Sequence, residues 1–380
     1  MNRQMRAKKF MKLQMHKKVI ISGGGTGGHI FPAISIANAL RRIDPGIEIL
    51  FVGAEGRMEM EKVPAAGYKI AGLPIRGFYR SLSPGNVAVL YKLVKSLFMS
   101  RKIIKEFNPD VVVGVGGYAS GPILRQAGRM GIPTLIQEQN SYAGVTNKLL
   151  AKRASLICVA YDDMEKYFPA AKIIKTGNPV RQNFDDIDIL KNEALSFFGL
   201  RRDTAVILVL GGSLGAGTIN ESLSGNIQKI ASSGCQWLWQ TGKNYFENIN
   251  TLVSESSCTN IAVIDFINRM DYAFAAADII ISRAGAGTIS ELCLVGKPVI
   301  LVPSPNVAED HQTKNALALS FRNAAIMIRD DEAVKRLADE AIRLISDEEE
   351  KKSLSANIKL MADRDADIRI ANEVLKLAGA

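Results

Sequence analysis

The stretch Val19-Ile-Ile-Ser-Gly-Gly-Gly-Thr-Gly-Gly-His-Ile-Phe-Pro32 indicates the fold of the first half of this 380-residue chain. An apolar run leads into a glycine-rich turn, and an amphipathic segment at 32–42 follows. Glycine lets the backbone reach positive φ and approach a ligand closely, and the first turn of a helix offers unpaired N–H groups to an anion. The stretch therefore predicts a strand, a ligand-facing turn and a helix.

This first turn fits neither of two common nucleotide-binding turns. Gly23, Gly25 and Gly28 match the dinucleotide pattern G-x-G-x-x-G. A dinucleotide site also places an acid at the end of the second strand, but here Gly53 and Ala54 follow that strand. A P-loop needs a Lys-Ser/Thr pair after the glycines, and none follows. We interpret the turn as a phosphate- or sugar-facing loop of another kind.

Two more glycine-rich turns lie in the second half, at Leu208-Val-Leu-Gly-Gly-Ser-Leu-Gly-Ala-Gly217 and Ser282-Arg-Ala-Gly-Ala-Gly-Thr-Ile-Ser-Glu291. The Ser213 hydroxyl can donate to a phosphate oxygen, and the Glu291 carboxylate can accept both hydroxyls of a ribose. Any one turn can also be only a tight strand-to-helix connection. Three such turns at the carboxyl ends of strands favour ligand binding.

Apolar, β-branched runs alternate with amphipathic segments such as 32–42 and 218–231 through both halves. Continuous apolar strands separated by helices indicate parallel sheets that are covered on both faces. Each half therefore predicts an α/β domain with a doubly wound parallel sheet. The predicted strands are 19–21, 49–52, 111–115, 134–136, 156–159, 206–210, 261–264, 278–281 and 299–302.

Charge and turn residues indicate where the domains meet. Lys and Arg outnumber Asp and Glu by 27 to 11 up to Asn178, whereas the remainder has 21 against 27. The turn-forming segment Thr176-Gly-Asn-Pro-Val-Arg181 lies at this change. We expect a basic extension at 1–18, domains at 19–178 and 179–364, and a C-terminal helix at 365–380 that packs back on the first domain.

Several classes of protein and site are disfavoured by composition. The four widely spaced cysteines, Cys158, Cys235, Cys258 and Cys293, are typical of reduced buried thiols. With three histidines in the chain, a histidine-built metal site is not expected. No stretch approaches the roughly 18 uninterrupted apolar residues of a membrane span. We expect neither a metal nor a cofactor.

His29 is the first candidate for a catalytic residue. It follows the first glycine turn directly, at a predicted helix N-terminus. The helix dipole disfavours imidazolium there, so the ring should stay neutral and able to take a proton. The alternative is a hydrogen-bonded structural histidine.

With these turns in view, the chain resembles the MurG family, the transferases that add N-acetylglucosamine to lipid I in peptidoglycan synthesis. The resemblance runs from about residue 19 to about residue 372. Its motifs are Gly24-Gly-Thr-Gly-Gly-His29, Gly114-Val-Gly-Gly-Tyr118, Gln137-Glu-Gln-Asn140, Gly177-Asn-Pro-Val-Arg181, Gly211-Gly-Ser213, the 282–291 turn and Asp310-His-Gln-Thr-Lys-Asn-Ala316.

The resemblance implies the GT-B fold, two Rossmann-like domains facing a cleft, with the donor UDP-N-acetylglucosamine in the second domain and the lipid acceptor in the first. Residues matching donor-binding positions are Thr26, Gly27, Gly28, Asn140, Arg181, Ser213, Ile267, Ala286, Gly287, Thr288, Ile289, Ser290, Glu291 and Gln312. Gly116, Gly117 and Tyr118 match the acceptor and diphosphate side. The chain departs from some relatives at Gln137, often histidine, and at His311, often glutamine.

The implied reaction is inverting: the 4-hydroxyl of N-acetylmuramic acid attacks the anomeric carbon and UDP leaves. It needs a base for the hydroxyl and positive potential for the diphosphate. His29 is the first choice of base and Glu138 the second, although Glu138 can also be a hydrogen-bond acceptor that only supports the site. Arg181, Ser213 and backbone N–H groups would hold the diphosphate.

A basic face spans residues 62–105, where nine Lys or Arg and no acid occur among apolar side chains such as Phe78, Tyr91, Leu97 and Phe98. This composition suits an anionic membrane surface. It also suits a helix that packs its apolar stripe inward beneath solvated lysines. A lipid-linked acceptor favours the first interpretation, and with it a peripheral location on the cytoplasmic face of the cell membrane.

Three other functions compete. A UDP-N-acetylglucosamine epimerase would share the architecture but would need no lipid acceptor. A nucleic-acid-binding module would explain the basic half, but the chain has no recognition motif and the glycine turns would be left without a role. We therefore expect no nucleic-acid partner. A nicotinamide-dependent oxidoreductase is disfavoured by the missing acid after the second strand.

Overall fold

The computed structural model describes residues 16–77, 85–180, 184, 187–212, 214–256, 258–307 and 310–379. Most of the expected extension at 1–18, Phe78, and the candidate ligands Arg181 and Ser213 lie outside these ranges. The chain divides into two compact units. The first unit runs up to Val180 and resumes at Asp365, and the second unit spans Arg181–Arg364.

The first unit is built on a parallel sheet. Its described strands are β1 (Lys18–Ser22), β2 (Glu48–Ala54), β3 (Lys69–Leu73), β4 (Val111–Gly114), β5 (Thr134–Glu138), β6 (Leu156–Val159) and β7 (Ile173–Lys175). The helices between them are α1 (Gly27–Ile43), α2 (Glu59–Ala65), α3 (Gly85–Phe107), α4 (Ser120–Arg129) and α5 (Val145–Ala151). Short 3₁₀ turns follow at Met164–Lys166 and Ala170–Lys172. The strand order is β3-β2-β1-β4-β5-β6-β7.

Alternate residues of β1 enter two different cores. Val19 and Ile21 pack with α1 on one face, and Ile20 packs with the α4 side of the sheet. All three are fully buried. A strand covered on both faces cannot alternate apolar and polar residues, which is why the continuous apolar runs in the sequence predict a parallel sheet.

The second unit repeats this plan. Its described strands are β8 (Val206–Leu210), β9 (Gln236–Gln240), β10 (Ile261–Ile264), β11 (Ile279–Ser282), β12 (Val299–Leu301) and β13 (Ile326–Met327), in the order β10-β9-β8-β11-β12-β13. A 3₁₀ turn, Ile187–Leu190, comes before the first helix. The helices are α6 (Lys191–Phe197), α7 (Gly217–Ser224), α8 (Ile227–Ala231), α9 (Phe246–Glu255), α10 (Met270–Ala276), α11 (Ala286–Val295), α12 (His311–Ser320), α13 (Asp330–Ser346) and α14 (Glu348–Lys359).

All nine predicted strands are confirmed, with ends that differ by at most two residues. The four strands that sequence analysis missed have visible reasons. β3, β7 and β13 lie at sheet edges and are only partly buried, so their apolar patterns are weak. β9 lies inside the sheet, but glutamine occupies both of its ends. The amphipathic segment at 218–231 is helical, as expected, but the chain breaks at Gly225 and divides it into α7 and α8.

The last helix, α15 (Ala366–Gly379), belongs to the first unit. Its buried residues Ile370, Ala371 and Val374 join the core beneath α1. The Arg42 guanidinium on α1 lies 2.5 Å from the Asp367 carboxylate, which is 2% exposed. Burial of that carboxyl raises the pKa of Asp367 above its ordinary value. The helix therefore completes the hydrophobic core of the first unit.

Truncating Ile370 to alanine tests how much α15 stabilises the first unit. Because Ile370 is fully buried, we expect Ile370→Ala to lower the free energy of unfolding by about 2–5 kcal/mol. The matched control is Asn372→Ala on the exposed side of the same helix, with an expected change of about 0.5 kcal/mol or less. Denaturant unfolding followed by circular dichroism measures both. Equal stability of the two variants would show that α15 does not support the core.

Candidate active site

The first glycine turn places three predicted donor-binding residues at the start of α1. Thr26 precedes the helix with an extended backbone, and Gly25 lies in the left-handed region at φ +89°. Gly27 and Gly28 form the first turn of the helix, where N–H groups lack partners within the helix. The turn can therefore present N–H groups to an anionic or hydroxylated ligand.

His29 lies in the first turn of α1, partly buried, with Nδ1 3.3 Å from Thr26 Oγ1. Burial lowers the pKa of its imidazole below the ordinary value. This effect outweighs the opposite influence of the Glu138 carboxylate, the Gly24 backbone and the Glu59 carboxylate. The expected neutral ring is thus supported, with desolvation by burial as the main cause.

The turn after β4 packs closely against the first glycine turn. Gly116 and Gly117 have φ values of +100° and +85°. A Cβ atom on Gly116 would lie 2.6 Å from His29 Cδ2, and one on Gly117 would lie 2.3 Å from the carbonyl oxygen of Gly24. Tyr118, which follows them, is 54% exposed. Glycine is required at both positions because no side chain fits there.

Glu138, at the end of β5, is buried and accepts four hydrogen bonds. Its Oε1 accepts from the backbone N–H of Asn140 at 3.1 Å and from the Asn140 amide at 3.3 Å. Its Oε2 accepts from the Gly144 N–H and from the Asn147 amide, both at 2.9 Å. Sequence analysis missed Asn147, whose Oδ1 is buried without a partner among the described residues. Glu138 therefore fixes the loop from β5 to α5.

A buried amide network ties β5 to the segment before the second unit. Gln139 Nε2 donates to the Val115 carbonyl at 2.8 Å. The Asn178 amide donates to the Gln139 carbonyl at 3.1 Å, and Gln137 Nε2 donates to Asn178 Oδ1 at 3.4 Å. Gln137, one of the departures from the family pattern, is fully buried in this network. Its amide therefore has a structural partner in this chain.

In the second unit, Gln240 joins the second glycine turn to the loop after β10. Its Nε2 donates to the Gly212 carbonyl, and its Oε1 accepts from the Ile267 N–H, both at 3.0 Å. Gly212 and Gly215 both have positive φ values, of +76° and +90°. Gln240 was not among the residues predicted from the sequence. The only available signal was its position at the carboxyl end of a strand that was itself missed.

The third glycine turn leads into α11, whose first turn contains Ala286, Gly287 and Thr288. A Cβ on Gly287 would have no described neighbour within 4 Å, so the space beside this helix start is open. Ile289, Ser290 and Glu291 lie one turn further along the helix. The helix start therefore offers both N–H groups and room for a ligand.

Gln312 and Arg283 fix the surroundings of this turn. Gln312 Oε1 accepts from the Ser304 N–H at 2.9 Å and the Ala284 N–H at 3.3 Å, which directs its amide nitrogen to other partners. The Arg283 guanidinium donates to the Val302 carbonyl at 3.1 Å and pairs with Asp330. No sequence pattern indicated Arg283, which has a structural role here.

The candidates thus form two groups, one in each unit. In the first unit, residues from the turns after β1, β4 and β5 lie together: Thr26, Gly27, Gly28, His29, Gly116, Gly117, Tyr118, Glu138 and Asn140. In the second unit, the loop and turns after β8, β10 and β11 present Ile267 and 286–291, with Gln312 at the start of α12. The carboxyl ends of parallel strands are where such folds bind ligands.

The basic face is partly apolar on its outer side. On α3, Leu90, Tyr91, Val94 and Phe98 are exposed, although Val89 and Ile104 of the same helix are buried. A groove of about 370 Å³ runs between α3 and α4. It is lined by Val94, Leu97, Phe98, Arg101, Gln126, Arg129 and Met130. Within the described ranges, no helix has the length and apolarity needed to span a bilayer.

Comparison with known proteins gives closely related sequences over almost the whole chain. A protein of Parabacteroides distasonis is 59% identical over 360 residues, covering 95% of this chain and 98% of the relative. It is named UDP-N-acetylglucosamine--N-acetylmuramyl-(pentapeptide) pyrophosphoryl-undecaprenol N-acetylglucosamine transferase.

Solved structures share the fold. MurG of Acinetobacter baumannii is 28% identical with a TM-score of 0.71, covering 95% of this chain and 99% of that one. A UDP-GlcNAc 2-epimerase of Neisseria meningitidis, 16% identical with a TM-score of 0.67, covers 95% of this chain and 100% of that one. The epimerase shares only the architecture, so it indicates the fold and no activity.

Two domain families match the chain, one in each half. Residues 19–159 match the glycosyltransferase family 28 N-terminal domain, and residues 206–370 match the glycosyltransferase family 28 C-terminal domain. The two parallel-sheet units are those of the GT-B fold, and the resemblance inferred from the motifs is confirmed. With both domains matched and 59% identity to a transferase across nearly its full length, this chain belongs to glycosyltransferase family 28.

Proposed function

We propose that the chain transfers N-acetylglucosamine from UDP-N-acetylglucosamine, with inversion, to the 4-hydroxyl of N-acetylmuramic acid in lipid I, giving lipid II for peptidoglycan synthesis. The Parabacteroides distasonis relative is named for a transfer between these partners. The main structural support is the position of His29, a partly buried histidine in the first turn of α1 beside the turn after β4.

His29 would act as the general base. Burial lowers its pKa and so favours a neutral imidazole, which can accept the proton of the attacking 4-hydroxyl. As the oxygen bonds to the anomeric carbon, the bond from that carbon to the diphosphate breaks and UDP leaves with the electron pair. Attack from the face opposite the diphosphate inverts the anomeric centre.

The second unit would bind the donor. The Ile267 backbone would meet the uracil, Glu291 the ribose hydroxyls, and the amide nitrogen of Gln312 the sugar. The open helix start at Ala286, Gly287 and Thr288 supports this proposal, since its N–H groups can hold an anion. Arg181 and Ser213, with backbone N–H groups, would stabilise the diphosphate as it leaves.

Glu138 would position the acceptor side and would not take the proton itself. Both of its carboxylate oxygens already accept two hydrogen bonds from N–H donors, so proton uptake would disrupt the loop between β5 and α5. Its charge also raises the pKa of His29, against the effect of burial. The carboxylate thus helps the imidazole to hold a proton once it has been taken.

The basic face would bind the anionic surface of the membrane, with the protein peripheral on its cytoplasmic side. Exposed apolar side chains beside Lys95, Arg101, Lys102 and Lys105 on α3 support this proposal. Apolar groups enter the headgroup region while the basic groups meet the lipid phosphates. A membrane-bound enzyme would meet its lipid-linked acceptor in the plane of the bilayer.

Changing two residues of α3 tests the membrane proposal. We expect Phe98→Ser combined with Arg101→Glu to weaken binding to vesicles containing phosphatidylglycerol by about 10- to 100-fold, because each charge near the surface is worth about 1 kcal/mol and an apolar contact is also lost. Vesicle sedimentation measures the binding. Phe321→Ser, at a position 83% exposed in the second unit, is the control and should bind as the unmodified protein does. Equal binding by all three proteins would contradict the proposal.

The transfer itself is tested by release of UDP from UDP-N-acetylglucosamine, with and without a short-chain lipid I analogue, followed by mass analysis. We expect UDP release that depends on the acceptor, and a disaccharide product. Conversion of the nucleotide sugar without an acceptor would indicate epimerisation instead. Binding of the donor without transfer would indicate another acceptor.

A further inference from the structure

Glu59, at the start of α2, is a fully buried carboxylate that sequence analysis did not single out. Its Oε2 accepts a hydrogen bond from the Gly25 N–H, and its Oε1 accepts one from the Ala54 N–H, both at 3.0 Å. Gly25 belongs to the first glycine turn, and Ala54 ends β2. One side chain therefore ties the ends of two adjacent strands together.

The position of this carboxylate explains two glycines. A Cβ on Gly24 would lie 2.1 Å from Glu59 Oε1, and a Cβ on Gly53 would lie 2.6 Å from Glu59 Cγ. The sequence placed the end of the second strand too early: Gly53 and Ala54 end β2, and Glu55 is the acid that follows it. From α2, Glu59 brings a second carboxylate to this strand end, where it accepts from the Ala54 N–H.

This carboxylate uses the glycine turn in a different way from a dinucleotide site. The Gly25 N–H, which a phosphate could otherwise receive, donates to Glu59. Among the ion pairs of the described residues, none includes Glu59, so backbone N–H groups stabilise its charge. The turn in the first unit is therefore held in one conformation by the protein itself.

The turn that Glu59 holds also bears on His29. Gly117 packs against the Gly24 carbonyl oxygen, which lies next to the anchored Gly25 N–H. Gly116 packs against the His29 ring. Two carboxylates influence the imidazole, Glu138 from β5 and Glu59 from α2, and each raises the pKa that burial lowers. Glu59 thus acts on His29 both through the backbone and through its charge.

We propose that Glu59 is a positioning residue for the transfer reaction: by anchoring the Gly25 N–H it fixes the turn that carries the donor-binding candidate Thr26 and the proposed base His29. The proposal rests on one part of the proposed function, namely that His29 accepts the proton of the attacking 4-hydroxyl. This role explains why the buried position holds glutamate, although glutamine has a similar shape. Glutamine would turn an NH₂ group towards one of the two N–H donors and remove the charge.

The test compares Glu59→Gln with Glu61→Gln, a neighbour on α2 whose side chain is 76% exposed. The first readout is the titration of ¹³C-labelled histidine by NMR. The chain has three histidines, and His29→Gln identifies the His29 signal as the one that is lost. We expect the pKa of His29 to fall in Glu59→Gln, because a negative charge that favours imidazolium is removed. In Glu61→Gln it should stay unchanged.

The second readout is steady-state kinetics. We expect Glu59→Gln to lower kcat for transfer at least 10-fold while KM for UDP-N-acetylglucosamine changes less than threefold. Glu61→Gln should match the unmodified protein. Lower thermal stability of Glu59→Gln with an unchanged His29 titration and unchanged kcat would overturn the proposal, because Glu59 would then be only structural.

Glu59→Asp keeps the test decisive if Glu59→Gln does not fold. Aspartate retains the charge but is one methylene shorter, so we expect the His29 titration to stay close to that of the unmodified protein while kcat falls. An unchanged kcat in Glu59→Asp would overturn the positioning role. A wrong assignment of His29 as the base would give a different result, because His29→Gln would then still transfer the sugar. The NMR comparison of Glu59→Gln with Glu61→Gln would remain valid in that case.

Discussion

Replacing His29 with alanine will lower kcat for transfer to lipid I by about 10²- to 10⁴-fold, the usual contribution of a general base. The neutral ring that accepts the proton of the 4-hydroxyl is lost, and neither carboxylate can take its place. Glu138 accepts four hydrogen bonds and Glu59 is fully buried. KM for UDP-N-acetylglucosamine should change little, because the donor-binding residues of the second unit are not altered. Acceptor-dependent UDP release measures both constants.

The pH dependence of the reaction gives an independent check on His29. A base is active when deprotonated, and burial lowers the pKa of His29 below its ordinary value of 6.5. The acidic limb of kcat/KM should therefore fall below pH 6.5, and activity should be retained as pH rises above it. His29→Ala should lose this limb. His16→Ala, at an exposed position before β1, is the control and should keep both the limb and the rate.

Unchanged transfer by His29→Ala would show that another group accepts the proton. An acidic limb well above pH 6.5 in the unmodified protein would likewise contradict a desolvated, neutral His29. Either result would leave the glycosyltransferase family and fold unaffected, since these rest on other observations.

We expect Gly117→Ala to lower kcat by an amount similar to that of His29→Ala. It should lower the free energy of unfolding more than His29→Ala does. The new Cβ would lie 2.3 Å from the Gly24 carbonyl oxygen, and the residue would keep a φ of +85°. Left-handed backbone costs about 1–2 kcal/mol for a residue with a Cβ, and overpacking adds about 1–3 kcal/mol. Moving the glycine turn that leads to His29 by about 1 Å can lower kcat by about 100-fold.

Gly131→Ala is the matched control for Gly117→Ala. Gly131 has a comparable φ of +77°, but a Cβ there meets nothing within 4 Å among the described residues. It should cost about 1–2 kcal/mol of stability from backbone strain alone and keep full activity. Denaturant unfolding and transfer kinetics compare the two variants. If both variants lose stability equally and keep their activity, the packing between Gly117 and Gly24 is not needed for catalysis.

Local patterns in the sequence determined the architecture. The apolar runs of β1 and β8 predict buried parallel strands because a strand covered on both faces cannot alternate polar residues. The glycine turns after β1, β8 and β11 predict ligand-facing strand ends, since positive φ and close approach leave a direct trace in residue type. The ordered motifs between Gly24 and Ala316 were sufficient to indicate the family.

Local patterns also had clear limits. The edge strands β3, β7 and β13 were missed because partial burial weakens the apolar pattern. The break at Gly225 was missed because a single glycine in a helical pattern does not by itself end a helix. Burial and packing in the folded protein decided where these strands form and where the helix breaks.

Only the tertiary structure decided which groups meet across the sheet. Glu59 reaches a turn 34 residues earlier in the chain. Gln240 joins Gly212 to Ile267, and Glu138 gathers its donors from the following loop. Nothing in residue type or spacing specifies such partners, because they depend on how strands and helices pack. The sequence by itself determined the fold, the family and the candidate His29. Tertiary packing decided how His29 is desolvated and which buried groups hold its turn in place.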